Sequence, residues 1–244
     1  PLYHEFLREK LRGMKKEEKD QTYCKAADWC RSNGFYYDAV NYYRQCGDHG
    51  ELWNTLLCIN AARHSQNEAD FFIEQIQRLP QAFRKNNPMT HIVLAAMFVN
   101  NLRFSEAEHT LDEVEQSLNE LPQTPEPQKM LGEHYIVRGF LTLAREENGF
   151  QDCFKQAALL LPEGSSRWGG NFLLIDLGPG LNLQSAKAGA LEKSLKCFTE
   201  GVPYMAKVLH GAGEGLDKLC QCGALFLTGD TKAATEPAYQ ALYT

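Results

Sequence analysis

The sequence lacks several features that would place it in a common protein class. It has no run of 18 apolar residues, which argues against a membrane-spanning helix. Its first residues, PLYHEFLREKLRG, are too charged for a secretory signal peptide. The net charge of -6 and the pI near 5.7 give no overall electrostatic attraction to DNA or to an anionic membrane. We therefore expect a cytoplasmic protein in which this segment binds neither nucleic acid nor membrane.

Residue patterns for known chemistry are also missing. We find no phosphate loop ending in Gly-Lys-Ser/Thr and no basic recognition helix. Cys220 and Cys222 have the wrong spacing for a zinc site, and on a helix their thiols would point apart. A nucleophile with a base would need scattered residues such as Cys153 with His134 or His210, and nothing in their sequence context marks them as activated. The expectation is a protein without catalysis, metal or cofactor.

Eight cysteines are spread over 244 residues without an export signal. This dilution predicts reduced thiols, mostly buried, rather than a disulfide scaffold. The composition, with 43% hydrophobic and 23% charged residues, is that of a folded globular protein.

Apolar residues recur at spacings of three and four along nearly the whole chain, and alternating β-branched residues are hard to find. The sequence therefore predicts an all-α fold. Leu79-Pro80, LPQTPEP at 121–127 and LPEG at 161–164 are predicted to end helices.

Small residues recur in pairs, twelve positions apart, on either side of predicted turns. Such pairs let two consecutive helices approach closely where they cross. A fourth turn, around Asn148-Gly149, carries the larger Thr142 and Phe154 at these positions, which predicts a wider crossing. Helix pairs of this kind are typical of tetratricopeptide (TPR) repeats of about 34 residues, so we expect a right-handed superhelical solenoid of TPR-like hairpins. The small pairs are Ala27 with Ala39, Ala95 with Ala107, and Cys222 with Ala234.

The chain also resembles a known family of regulators. PLYHEFLREKLR, followed by YCKAADWCRSNGFYYDAVNYYRQCGD, is similar to the junction between a winged-helix segment and a helical-repeat sensor in MalT-like, LuxR-family (STAND-type) transcription regulators. The likeness continues through IQRLPQAFRKNNPMTHIVLAAMFVNNLRFSEAEHTLDEVE, QAALLLPEG and CGALFLTGDTKAATEPAYQALYT. It implies that residues 1–16 end a winged-helix segment or linker and that residues 17–244 form a TPR-like sensor domain.

The same resemblance implies a function in transcription regulation. An ATP-binding module would precede this segment and a DNA-binding helix-turn-helix would follow it, so that the chain would be a piece of a longer regulator. Its partners would be a small-molecule or peptide effector and the neighbouring modules. A solenoid separated from those modules exposes apolar faces, so self-association is expected as well. The alternative function is a TPR scaffold for protein–protein interaction without a small-molecule ligand.

The least regular stretch, residues 165–190, contains a first candidate site for an effector. Glycines interrupt the helical periodicity there, which would place adaptable backbone beside a pocket. Trp168 would offer a stacking platform, and Asn171 and Asp176 would offer hydrogen bonds to a small polar ligand. The alternative is a wide connection between helices, packed by Trp168, Phe172 and Leu173.

Two charged surfaces are further candidates. His134, Arg138, Thr142 and Arg145 form one polar stripe on the predicted helix 129–147, suited to an anionic or hydroxyl-rich ligand on the concave side. Residues 104–127 carry seven acids and no Lys or Arg, which suits docking of a basic partner. For both surfaces, the alternative is a solvated helix face. The aromatic residues of the first repeat, including Trp29 and Phe35, are interpreted as core rather than as a binding cage.

Overall fold

A computed structural model describes residues 9–10, 12–59, 66–122, 124–145, 147, 149–168 and 190–243. Within these residues every regular element is an α-helix and no strand occurs, so the prediction of an all-α fold is confirmed. No helix in this described part is both long and apolar enough to cross a bilayer. The helices are α1 (Lys16–Ser32), α2 (Tyr36–Cys46), α3 (His49–Cys58), α4 (Gln66–Arg78), α5 (Gln81–Asn86), α6 (Met89–Asn100), α7 (Phe104–Asn119), α8 (Pro125–Ala144), α9 (Phe150–Leu160), α10 (Ala190–Val208), α11 (Leu216–Leu227) and α12 (Thr235–Leu242).

The helix boundaries follow local signals in the sequence. The predicted breakers lie at helix ends: the first after α4, the second from the end of α7 into the first turn of α8, and the third after α9. Pro125 occupies the first turn of α8, where its missing N–H leaves no hydrogen bond unmade. Gly47 ends α2 with a φ of 76°, in the left-handed region that glycine adopts without strain. Asp48 then caps α3 by accepting a hydrogen bond from the Glu51 backbone N–H at 3.0 Å.

The chain divides into two compact units. The described residues of 1–61 and 76–83 form the first, and those of 62–75 and 84–244 form the second. In the first unit, α1 packs against α2 and α2 against α3. Ala27 and Ala39 are fully buried, as expected for a close crossing of α1 and α2. Arg31 of α1 pairs with Glu51 of α3, which ties the first and third helices together.

A disulfide joins α1 and α2. Cys24 of α1 and Cys46 of α2 have Cα atoms 5.9 Å apart, within the usual range for such a bond. The prediction that all cysteines are reduced thiols is therefore wrong for this pair, because the α1–α2 hairpin brings them face to face. The prediction that the thiols are mostly buried is also wrong. Among the six free cysteines only Cys30 and Cys197 are buried, and Cys58 is exposed.

The aromatic side chains of this hairpin divide between core and surface. Tyr43 is buried, and its hydroxyl donates to Asp28 Oδ1 at 2.6 Å. Burial and this contact raise the pKa of Tyr43 to about 12. Trp29 and Phe35 are 61% and 52% exposed and stack on each other with ring centroids 5.8 Å apart. The interpretation of the aromatic set as core is thus wrong for these two residues, which lie beside the turn.

In the second unit, each helix from α6 to α12 packs against the next one in sequence. In addition, α6 contacts α8. Ala95 and Ala107 are fully buried, which matches the predicted close crossing of α6 and α7. The last pair is looser, because Ala234 is buried whereas Cys222 is only half-buried. The order of contacts fits an array of helix pairs.

Glycines make room for large side chains around α9. A Cβ on Gly139 of α8 would lie 2.9 Å from the ring of Phe154, so the ring occupies the space that a side chain would need. Gly132 faces Leu161 in the same way, with a Cβ distance of 2.6 Å. Gly201 of α10 faces the phenylalanine that begins α9. These contacts lock α8, α9 and α10 together at close range.

Candidate functional site

The first candidate site begins at the end of a described segment. Trp168 is 1% exposed, so its indole is packed inside the protein. Asn171 and Asp176 lie outside the described residues, as do Phe172 and Leu173. Within the described residues, this site consists of Trp168 and the groups around it.

A buried carboxyl group fixes the segment that contains Trp168. Glu133 of α8 is 4% exposed, and its Oε2 accepts a hydrogen bond from Ser165 Oγ at 2.6 Å. The same hydroxyl oxygen accepts from the backbone N–H groups of Arg167 at 3.0 Å and of Trp168 at 2.8 Å. Ser165 thereby holds a tight turn that positions the indole. Sequence reasoning missed Glu133 and Ser165.

The signal for Glu133 was present in the helical pattern. Glu133, Val137 and Phe140 share one face of α8 at spacings of four and three. Val137 and Phe140 are buried and apolar. An acid on such a face is expected to be buried with a partner. No comparable signal marked Ser165, because its partner lies 32 residues away in sequence.

The backbone of Ser165 connects this turn to the end of α10. Its N–H donates to the Val208 carbonyl at 2.8 Å, and its own carbonyl accepts from His210 Nε2 at 2.7 Å. The imidazole lies against Gly164, where a Cβ would be 2.7 Å from the ring. His210 itself adopts a φ of 55°, which is uncommon for a residue other than glycine. Three parts of the unit therefore meet at Ser165.

The contacts around Ser165 are those of a positioning network rather than of a nucleophile and its base. The hydroxyl proton is directed to Glu133, and the imidazole reaches the carbonyl oxygen of Ser165. Burial raises the pKa of Glu133, and the Ser165 hydroxyl and the charge of Arg167 oppose that rise. A buried group with a shifted pKa often marks a functional site.

The second and third candidate surfaces form one interface. The polar stripe of α8 faces the acids of α7, and Arg138 Nη2 lies 2.6 Å from Asp112 Oδ1 and 3.3 Å from Glu115 Oε2. One end of the interface is closed by Arg145 Nη2, at 2.8 Å from Glu108 Oε2. Each surface supplies counter-charges for the other, and the acids Asp112 and Glu108 remain exposed to solvent, as the alternative interpretation expects. We call this interface the α7–α8 seam.

His134 occupies the buried centre of the seam. Its side chain is fully buried, and Nε2 lies 3.1 Å from the Leu111 carbonyl oxygen, which can only accept. Nε2 therefore carries the proton, and the buried Nδ1 has no hydrogen-bond partner. Burial, and next the charge of Arg138, lower the pKa of His134 to about 4. At neutral pH the ring is uncharged, so its 4.0 Å approach to Glu115 is not an ion pair.

The remaining stripe residue and the remaining acids are also occupied. Thr142 Oγ1 donates to the Arg138 carbonyl at 2.9 Å, one turn earlier in α8. Tyr135 adds a further contact across the seam by donating to Glu115 at 3.2 Å. The acids outside the seam have partners close in sequence: Glu106 with Arg103, Glu113 with His109, Glu120 with Gln116, and Glu126 with Lys129. Four cations, namely Arg103, Lys129, Arg138 and Arg145, thus offset part of the negative charge of the acidic run.

In the described part of the chain no three His, Cys, Asp or Glu side chains come together as metal ligands would. No protein-family profile matches the chain, and a search of curated proteins gave no match.

Proposed function

We propose that this chain is the effector-sensing helical-repeat region of a MalT-like, LuxR-family transcription regulator. Support comes from the sequential packing of helices and from the buried alanine pairs at matching positions of α1–α2 and α6–α7. Both features are those of TPR-like hairpins stacked into a solenoid. The role is regulatory rather than enzymatic, and the ATP-binding and DNA-binding steps belong to neighbouring modules.

The effector, a small molecule or a peptide, binds beside Trp168. The observation that carries this placement is the buried Glu133–Ser165 hydrogen bond. Burying a carboxyl group is costly, and here that group fixes the turn that precedes residues 169–189. Asn171 and Asp176 remain the proposed contacts, whereas Trp168, whose indole is packed inside the protein, supports the site rather than stacking on the effector. His134, Arg138 and Thr142 are left out of the contact set because each is already bonded within α8 or across the seam.

In this mechanism the effector acts by differential affinity. It binds more tightly to one arrangement of the helix pairs than to another, and it shifts their populations accordingly. The Ser165 network transmits the change because it joins α8, the turn at Trp168 and the end of α10.

Thermal unfolding against sugars, amino acids, nucleotides and short peptides tests the proposal. A ligand at about a hundred times its dissociation constant adds about 2.7 kcal/mol, which should raise the midpoint by roughly 5 to 10 °C. The variant Ser165→Ala should lose most of this rise, because the turn before the site is no longer held. Ser117→Ala, an exposed serine of α7, should keep it. A ligand that shifts wild type and Ser165→Ala equally would place the effector elsewhere.

A flat panel would favour the alternative, an interaction scaffold that receives a protein partner. One observation supports it: the last two helices expose several large apolar side chains. Phe226→Asp should then weaken a co-purifying partner, and Leu159→Asp, an equally exposed position on α9, should not. The exposed apolar residues are Leu219, Phe226, Leu227, Tyr239, Leu242 and Tyr243.

A further inference from the structure

Two kinds of helix–helix contact occur in the second unit. Around α9, glycines on α8 and α10 receive large side chains at close range. Phe154 also makes edge-on ring contacts with Phe140 and Phe150. A sliding motion at these contacts would drive a ring into backbone, so they are rigid. The α7–α8 seam instead carries a row of polar side-chain contacts.

We propose that the α7–α8 seam is the hinge of the second unit, at which α7 moves against the rigid block α8–α10. Its use in signalling rests on the proposed sensor function, but the hinge itself does not. His134, Tyr135 and Arg138 of α8 contact α7 through hydrogen bonds or ion pairs, and so does Arg145 just after α8. Partly exposed ion pairs of this kind contribute little to stability and weaken with salt.

The spacing of the charges permits a small slide. Glu108, Asp112 and Glu115 follow each other at about one helical turn, so a displaced arginine meets the next acid along α7. Arg138 already contacts two of these acids. The seam therefore has more than one arrangement with ion pairs formed, which is the condition for movement between discrete states.

Incomplete hydrogen bonding at the centre of the seam adds to this. His134 Nδ1 and Arg138 Nε are buried and have no partner. Each such group costs free energy in the closed arrangement, because water no longer solvates it. The closed seam is thus held less firmly than its burial would suggest, whereas the contacts around α9 carry no comparable penalty.

Paired spin labels test the hinge. One pair, at Ser105 and Gln128, spans α7 and α8, and the control pair, at Gln128 and Lys155, spans α8 and α9. Labels on genetically encoded amino acids leave the native cysteines untouched. Pulsed electron resonance in 0.05 and 1 M NaCl then gives the two distance distributions.

We expect the seam distance to shift by at least about 2 Å, or its distribution to widen, in 1 M salt and in Arg138→Gln. The α8–α9 distance should stay narrow in both. The control Arg103→Gln also removes one arginine charge, but its partner Glu106 is only three residues away in sequence. This variant should leave the seam distance unchanged. A seam distance insensitive to salt and to Arg138→Gln, or equal changes in both pairs, would overturn the proposal. The experiment uses no effector. Its result is therefore independent of whether any ligand raises the unfolding midpoint in the test of the proposed function.

Discussion

Acid should weaken the second unit through His134. The group titrates near its ordinary pKa of 6.5 when the chain is unfolded and near 4 when it is folded. Because the folded state favours the neutral imidazole, His134 lowers the stability of the fold least at neutral pH. Its favourable contribution to the free energy of unfolding is therefore complete there. That contribution is lost as the pH falls through 6.5 toward 4, where only the unfolded chain takes up the proton.

The magnitude follows from the two pKa values. Each pKa unit corresponds to about 1.4 kcal/mol, so the shift is worth about 2–3 kcal/mol, most of which is lost by pH 4.5. The residue is fully buried, so solvent does not screen this cost. Glu133 acts in the opposite sense, because its raised pKa makes the folded state bind protons more tightly. A comparison of variants is therefore needed.

His134→Gln isolates the effect. Its side-chain amide can donate to the Leu111 carbonyl but does not titrate. We expect urea unfolding, followed by circular dichroism, to show that wild type loses about 2–3 kcal/mol more than this variant between pH 7 and pH 4.5. The control His109→Gln changes an exposed histidine of α7 and should follow wild type. Equal losses in wild type and His134→Gln would refute the assignment of a buried neutral imidazole.

Three further predictions concern the packing, the buried acid and the disulfide. Gly139→Ala should lower the free energy of unfolding by about 1–3 kcal/mol, because its Cβ meets the facing phenylalanine ring, as urea midpoints would show. Gly223→Ala, at a helical glycine with open space around it, should instead stabilise by roughly 0.5–1 kcal/mol. Glu133→Gln should stabilise the fold at pH 7. An acid whose pKa is raised in the folded state makes the protein less stable as the pH rises above the pKa of that acid in the unfolded chain. A loss of stability at pH 7 would contradict this. Alkylation without reductant, read by mass spectrometry, should leave Cys24 and Cys46 unmodified, and reduction should cost about 3 kcal/mol. Modification of all eight thiols would rule the bond out.

Much of the fold could be predicted because helical periodicity, helix breakers and small-residue pairs are local features. Ala27 and Ala39 are buried where the pattern placed them. What the pattern could not contain was the partner of each polar side chain. The stripe on α8 and the acids on α7 were each readable as a solvated face, and only the packing of the two helices showed that Arg138 and Asp112 neutralise each other.

The candidate site was predicted less well for the same reason. Trp168 was predicted as a stacking platform within the irregular stretch, but the groups that hold its turn come from α8 and from the end of α10. A periodicity argument treats each helix alone, so it assigns an acid such as Glu133 to solvent unless its whole face is inspected. The disulfide between Cys24 and Cys46 likewise depended on the hairpin geometry and not on cysteine density.

The sequential packing of the helices has a consequence for the way in which the second unit folds. Contacts between neighbours in sequence close short loops, so helix pairs can form early and independently. The network at Ser165 is different, since it requires Glu133 and His210, which lie 32 and 45 residues from it. During synthesis the bond to Glu133 can form before α10 exists, whereas the bond to His210 can form only after α10 has been completed. We therefore expect the turn at Trp168 to acquire its complete native structure later than α6–α9, with protection from hydrogen exchange appearing there after it appears in those helices.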